Sequence, residues 1–158
     1  MNILGDALPR RFKAKASGSI TAGKPCIIEA DGDVAQVSET PVSEAVGTPA
    51  VFESAASPQI SAAYDSNAGK VVIAYRDNGN SNYGTAVVGT VSGTSISFGT
   101  PVVFESATTR YISTAYDVNA QKIVVAYRDY GNSSAGTAKV GTVSGTSISF
   151  GGAAVFES

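Results

Sequence analysis

The chain has 158 residues, 43% of them hydrophobic and only 15% charged, with a net charge of −2 and a single cysteine. An internal disulfide is therefore excluded, and the absence of histidine removes the commonest general base and zinc ligand. No segment approaches the roughly 18 consecutive apolar residues of a membrane helix and no signal peptide is recognisable, so we expect a cytoplasmic protein with no membrane partner.

The N-terminal segment is basic. Residues 1–18 contain Asp6 and four positive side chains, which give a net charge of +3; the remaining residues carry seven basic and twelve acidic side chains, a net of −5. This pattern predicts an extended arm that attaches to a partner surface through Arg10, Arg11, Lys13 and Lys15. A solvated tail without a partner is the alternative. Nucleic-acid binding is not expected, because four charges make a small electrostatic footprint.

Residues 19–46 predict a small β module and linker. The stretches KPCIIEA and DVAQVS flank Asp31-Gly32, a dipeptide typical of tight hairpin turns. We expect Cys26 to occupy a buried strand position. The polar, proline-containing SETPVSEAV has the composition of a linker. Fewer than thirty residues cannot enclose a stable core, so the hairpin should dock on the repeats, a neighbouring chain or a larger assembly.

Residues 47–158 are a tandem repeat. The ten-mer GTVSGTSISF occurs at 89–98 and again at 141–150, and about three-quarters of positions match when 47–98 is laid over 99–150. A third copy begins at residue 155 with VFES. A unit repeated at this spacing is one supersecondary block that cannot bury its own faces alone.

Each repeat is predicted to form four short strands joined by turn-forming residues. One of these turn-forming stretches, 53–59, precedes the first predicted strand. The stretch KVVIAYRD is apolar on both alternating faces, which indicates a strand covered on both sides. A four-stranded, doubly covered unit of this length is typical of a β-propeller blade. The predicted strands are 60–65, 70–77, 84–92 and 95–105 in the first repeat, and 112–117, 122–129, 136–144 and 147–157 in the second.

Two blades cannot close a ring, because propellers need roughly four to eight. An isolated pair would expose an apolar sheet face at each end. We therefore predict an all-β chain whose two blades complete a ring by oligomerisation, with a homotrimer giving six blades. Two or four chains, a non-closing stack and a longer gene product are the alternatives.

The differences between the repeats concentrate at 56–59 against 108–111 and at 78–83 against 130–135. In a four-stranded meander these loops open at the same end. Their planar and hydrogen-bonding side chains suit sugars or peptides, so this end is a candidate ligand face. Drift of unconstrained loops explains the same variation. The candidate residues are Asn78, Asn80, Tyr83, Arg110, Tyr111, Tyr130 and Asn132.

No catalytic, cofactor or metal site is predicted, and we do not expect an enzyme. The repeated acidic residues Asp65, Asp77, Asp117 and Asp129 recur with the period, so they indicate blade-building parts rather than the unique carboxylate pair of a glycosidase. The Arg-Asp dipeptides at 76–77 and 128–129 are expected to support turns and hydrogen bonds between blades. The Asp-x-Gly-Asn-Ser stretches at 77–81 and 129–133 hold too few acidic residues for a calcium site. The repeated tyrosines are expected to serve packing: Tyr64, Tyr75, Tyr116 and Tyr127.

The repeats, with their VVFES, AYDxN, VVAYRDxGNS and GTVSGTSISFG elements, resemble those of structural proteins of marine tailed bacteriophages. The leading ASGSITAGKPCIIEADGDVAQVS is similar to the opening of phage head-decoration and fibre-attachment modules. The resemblance implies a virion component, made in the host cytoplasm, that binds a capsid or tail protein by its N-terminal part and displays the repeats outward. A lectin-like adhesin that binds surface glycans through the variable loops is the alternative function.

Overall fold

The computed structural model describes residues 14–37 and 46–158, and within them the fold is all-β, without helices. The chain divides into two compact units between residues 44 and 45. The described residues form no helix long and apolar enough to cross a membrane.

The first unit contains the expected hairpin. Strand β1 (Cys26–Ile28) pairs antiparallel with β2 (Val34–Gln36), and Gly32 adopts the positive φ of 90° that the turn requires. A parallel bridge joins Ala16 to Val34, so part of the predicted arm lies along β2. The prediction of a buried Cys26 is wrong: the side chain is exposed, because within 14–37 no second layer covers so small a hairpin.

In the second unit, the first repeat forms an antiparallel sheet whose strand bounds agree closely with the predicted ones. Strands β3, β4 and β5 lie side by side in that order. Two strands pair with the remaining edge of β5: β6 with its C-terminal part and the beginning of β7 with its N-terminal part. These strands are β3 (Ser61–Asp65), β4 (Lys70–Asp77), β5 (Tyr83–Ser92), β6 (Ser95–Phe98) and β7 (Val102–Asp117).

The second repeat builds the same sheet again. The end of β7 pairs with β8, β8 pairs with β9, and both β10 and β11 line the far edge of β9. The strands are β8 (Lys122–Asp129), β9 (Ala135–Ser144), β10 (Ser147–Phe150) and β11 (Ala154–Glu157). We call the two parts the first sheet and the second sheet, although β7 links them into one hydrogen-bonded path that, over the described residues, does not close on itself.

Two expectations about the strands need correction. The fourth strand of each repeat is broken, at 99–101 by Gly-Thr-Pro and at 151–153 by Gly-Gly-Ala. The turn expected between the units exists at 53–59 but not at the equivalent 105–111, which lies within β7. Pro58 is replaced there by Arg110, and the neighbouring threonines favour extended backbone, although Tyr111 itself has a positive φ of 53° and the register on β8 shifts there.

The core lies where the two sheets pack face to face. The first sheet contributes Val72, Ala74, Ala86 and Val88 to it. The second sheet contributes side chains from the other face of its strands: Ile112, Ile123, Val125, Tyr127 and Ile148. Phe104, at the start of β7, also belongs to the cluster. Each sheet therefore uses a different one of its two faces in this contact.

Candidate functional site

The outer face of the second sheet duplicates the buried face of the first. The positions 52 residues after Ala63, Val72, Ala74 and Val88 hold the same residue types. Val88 is 1% exposed in the core, whereas its counterpart Val140 is 48% exposed. We call this surface the trailing face; its members are Ala115, Val124, Ala126 and Val140.

The outer face of the first sheet duplicates the buried face of the second. Ile112 is 9% exposed, whereas its counterpart Ile60 is 54% exposed and Tyr64, the counterpart of half-buried Tyr116, is 59% exposed. Val71 and Ile73 are half-buried where Ile123 and Val125 are fully buried. We call this surface the leading face; its members are Ile60, Tyr64, Val71 and Ile73.

Polar contacts fix the register of the internal packing. The hydroxyl of Ser61 accepts a hydrogen bond from the Thr114 amide at 2.9 Å, and the Tyr116 hydroxyl accepts one from the Asn67 amide at 3.3 Å. The trailing face carries the equivalents Ser113 and Asn119, and the leading face carries Tyr64. The leading face has Ala62 where the internal contact has Thr114, whose hydroxyl lies 2.8 Å from that of Ser61. The two outer faces therefore match each other in apolar character and in the two hydrogen bonds from backbone amides, but not in the contact between hydroxyl groups.

Residues 47–58 lie on the first sheet as 99–110 lie on the second. The Phe52 ring contacts those of Tyr75 and Phe98 at centroid distances of 5.0 and 5.8 Å, and Phe104 contacts Tyr127 and Phe150 at 5.1 and 5.6 Å. A side chain on Gly47 would collide with the Thr94 carbonyl, just as one on Gly99 would with that of Thr146. Residues 47–58 therefore contact the first sheet as 99–110 contact the second, although no strand is formed within 47–58.

A tyrosine–glutamate pair fastens each of these segments. The Tyr127 hydroxyl donates to Glu105 at 2.9 Å, and the Tyr75 hydroxyl donates to Glu53 at 3.4 Å. Burial, followed by the contact with Glu105, raises the pKa of Tyr127, and burial together with the charge of Glu53 raises that of Tyr75. The Ala55 amide donates to Glu53 and lowers the pKa of that carboxyl group.

The loops predicted to face a ligand do meet at one end of the sheets. The Thr109 amide donates to the Asn82 carbonyl, and the Tyr130 amide donates to that of Thr108. The guanidinium groups of Arg110 and Arg128 lie 5.3 and 5.1 Å from the Tyr130 ring centre. Of the other candidates, Tyr111 is exposed, Tyr83 pairs with Thr108 through the backbone, and the rest lie in the two connecting turns: Asn78, Asn80 and Asn132.

A cavity of about 300 Å³ opens on the second sheet near this end. Its lining includes Ala126, Arg128, Gly136 and Phe156. At the equivalent place on the first sheet, the Phe104 ring lies against Gly84 as the Phe156 ring lies against Gly136, and the Thr109 methyl group also lies against Gly84. The internal contact thus places beside Gly84 a side chain that has no counterpart beside Gly136.

The repeated aspartates stabilise turns, as predicted for those in the Arg-Asp dipeptides. Asp65 accepts hydrogen bonds from the Asn67 and Ala68 amides, and Asp77 accepts them from Gly79 and Asn80. The tyrosines divide: Tyr75 and Tyr127 are buried, whereas Tyr64 is not. Within the described ranges, no group of three or more acidic or cysteine side chains is arranged to hold a metal ion.

Of the predicted arm residues, Lys15 is described; its Nζ lies 3.9 Å from Asp33, an exposed ion pair that contributes little stability. Arg10, Arg11 and Lys13 lie outside the described residues. Comparisons of the chain with protein-family models, curated proteins and solved structures found no match. Sequence reasoning predicted an exposed apolar face at each end of the pair, but it did not identify the residues of the leading and trailing faces, because these depend on which alternation of each strand is buried.

Proposed function

We propose that the chain is a non-enzymatic structural protein of a bacteriophage particle, in which the repeats serve as propeller blades that complete a ring with other copies. The observation that best supports assembly is the pair of matching outer faces, the leading and trailing faces, since exposed apolar surface of this kind marks an association site. The phage assignment rests on the resemblance of the repeats to phage structural proteins. Three chains supply six blades, within the range that closes.

In this proposal the N-terminal part binds a capsid or tail protein through its basic residues, and the repeats point away from the particle surface. The test is co-sedimentation of the full chain with phage particles from its source. We expect binding, and we expect its loss when Arg10, Arg11, Lys13 and Lys15 are all changed to alanine. Equal sedimentation of both proteins, or of neither, would contradict particle attachment through the arm.

A lectin-like adhesin is the second candidate, favoured by the aromatic and guanidinium groups around Tyr130. Planar side chains of this kind stack on sugar rings and hydrogen-bond to hydroxyl groups. Binding to a glycan array that Arg110→Ala or Tyr111→Ala abolishes would support this function. An array without signal, combined with particle binding, favours the structural role.

A further inference from the structure

Residues 47–54, which form no strand within one chain, and the segment that contains β11 are two copies of one part of the repeat that compete for one place in the proposed ring. The sequences are GTPAVFES at 47–54 and GGAAVFES at 151–158. At the internal contact, Phe104 belongs to the first sheet by hydrogen bonding but inserts its ring beside Tyr127 and Phe150 of the second. A contact between copies built the same way would insert Phe156 beside Tyr75 and Phe98 of the next chain. Phe52 already occupies that place.

One of the two strands must therefore leave when copies join, and β11 is the weaker. All four of its residues are exposed, and Phe156 is 64% exposed whereas Phe104 is 3% exposed. Residues 47–58 are held instead by Phe52, by the Glu53–Tyr75 hydrogen bond and by backbone hydrogen bonds from Arg76 to Pro58 and from Asn78 to Ala56.

The backbone edge of 47–54 is also free to accept a partner strand. At the equivalent place β7 pairs with β5, with Ala86 opposite Val102 and Thr85 opposite Val103. Over the described residues, no strand pairs with 47–54. An unpaired extended edge adds readily to the edge of another sheet.

We propose that chains join by strand exchange: residues 47–54 of one copy replace β11 on β9 of the next, while the leading face of the first covers the trailing face of the second. The partner is a second copy of this chain, and the inference rests on the ring proposed above. The register is fixed by the repeat. Ala50 takes the place of Ala154 opposite Ala138, and Val51 takes that of Val155 opposite Thr137.

Paired cysteines test the exchange, because residues opposite each other in adjacent strands are close enough for a disulfide. In a Cys26→Ser background, Ala50→Cys with Ala138→Cys is expected to form disulfides between chains under oxidising conditions, seen as multimers on non-reducing gels. The matched variant, Ala154→Cys with Ala138→Cys, is expected to form a disulfide within one chain. It should then remain monomeric until a reductant releases β11 and restores assembly.

Deletion of residues 153–158 gives an independent readout, which holds even if a cysteine variant does not fold. Removing the competitor is expected to lower the concentration needed for assembly at least tenfold. Two results would overturn the strand exchange without affecting the proposed ring. One is that the oxidised variant Ala154→Cys with Ala138→Cys assembles like wild type; the other is that the deletion weakens assembly. A wild-type chain that stays monomeric at every concentration overturns both.

Discussion

At the scale of single residues, the two repeats allow comparison of equivalent positions that differ in residue type. Gly69 and Gln121 occupy equivalent turns and both have positive φ, 64° and 55°. A glycine tolerates this backbone, whereas a residue with a Cβ loses roughly 1 kcal/mol there. The turn of the second repeat is therefore strained where that of the first is not.

Relieving this strain should raise stability. We expect Gln121→Gly to increase the free energy of unfolding by about 0.5–1 kcal/mol and Gly69→Gln to decrease it by a similar amount. Urea unfolding of the two variants beside wild type measures both effects. Equal destabilisation by the two changes would show that φ does not control these turns.

The tyrosine–glutamate pair predicts how stability depends on pH. Because the pKa of Tyr127 is raised in the fold, its contribution is complete below the ordinary tyrosine value of about 10 and is lost as the pH rises above it. Tyr127→Phe removes a buried hydrogen bond, so we expect a loss of about 1 kcal/mol at neutral pH. The difference between wild type and variant should stay constant up to about pH 10, the ordinary pKa of tyrosine, and shrink as the pH rises above it. A constant difference would exclude the linkage.

At the scale of elements, Phe104 joins β7 to the second sheet. Its removal leaves a cavity between Tyr127 and Phe150, so Phe104→Ala should cost about 3–5 kcal/mol. The matched Phe156→Ala change affects a largely exposed ring, and we expect less than about 0.5 kcal/mol. Thermal unfolding measures both. Similar losses of stability in the two variants would mean that Phe156 in β11 stabilises the fold as much as Phe104 in β7.

The strand bounds could be predicted because local signals determine them. Strands β4 and β8 begin and end where the alternation in KVVIAYRD and KIVVAYRD does, and Asp31-Gly32 marks the hairpin. The long β7 could not be predicted from such signals, because its two halves pair with different sheets and only tertiary structure shows this. The exposure of Cys26 was missed for the same reason: a strand pattern does not reveal whether a second layer covers it.

The site was predicted in part. The variable loops were expected at one end, and the contacts around Tyr130 confirm that they meet there. Exposed apolar faces were expected at the ends of the pair, but their members follow only from knowing which alternation of each strand is buried. Val88 and Val140 occupy equivalent positions of the repeat, in AVVGT and AKVGT, and have different surroundings.

At the scale of the whole molecule, the trailing face offers a test that spares the internal core. Val140→Asp places a charge on a surface that we propose to be buried between copies, and burying an unpaired charge is costly. We expect loss of assembly with the fold retained, as judged by size-exclusion chromatography and circular dichroism. Val118→Asp, on an exposed turn outside both faces, is the control and should assemble normally. Assembly of both variants would exclude the trailing face.

The native mass of the full chain tests the central claim most directly, which is that the leading face of one copy covers the trailing face of the next. The account predicts a species of three chains, each of 16.0 kDa, at micromolar concentration in native mass spectrometry. Another closed multiple would change the number of blades but keep the contact. A folded protein that remains at the mass of one chain would contradict it.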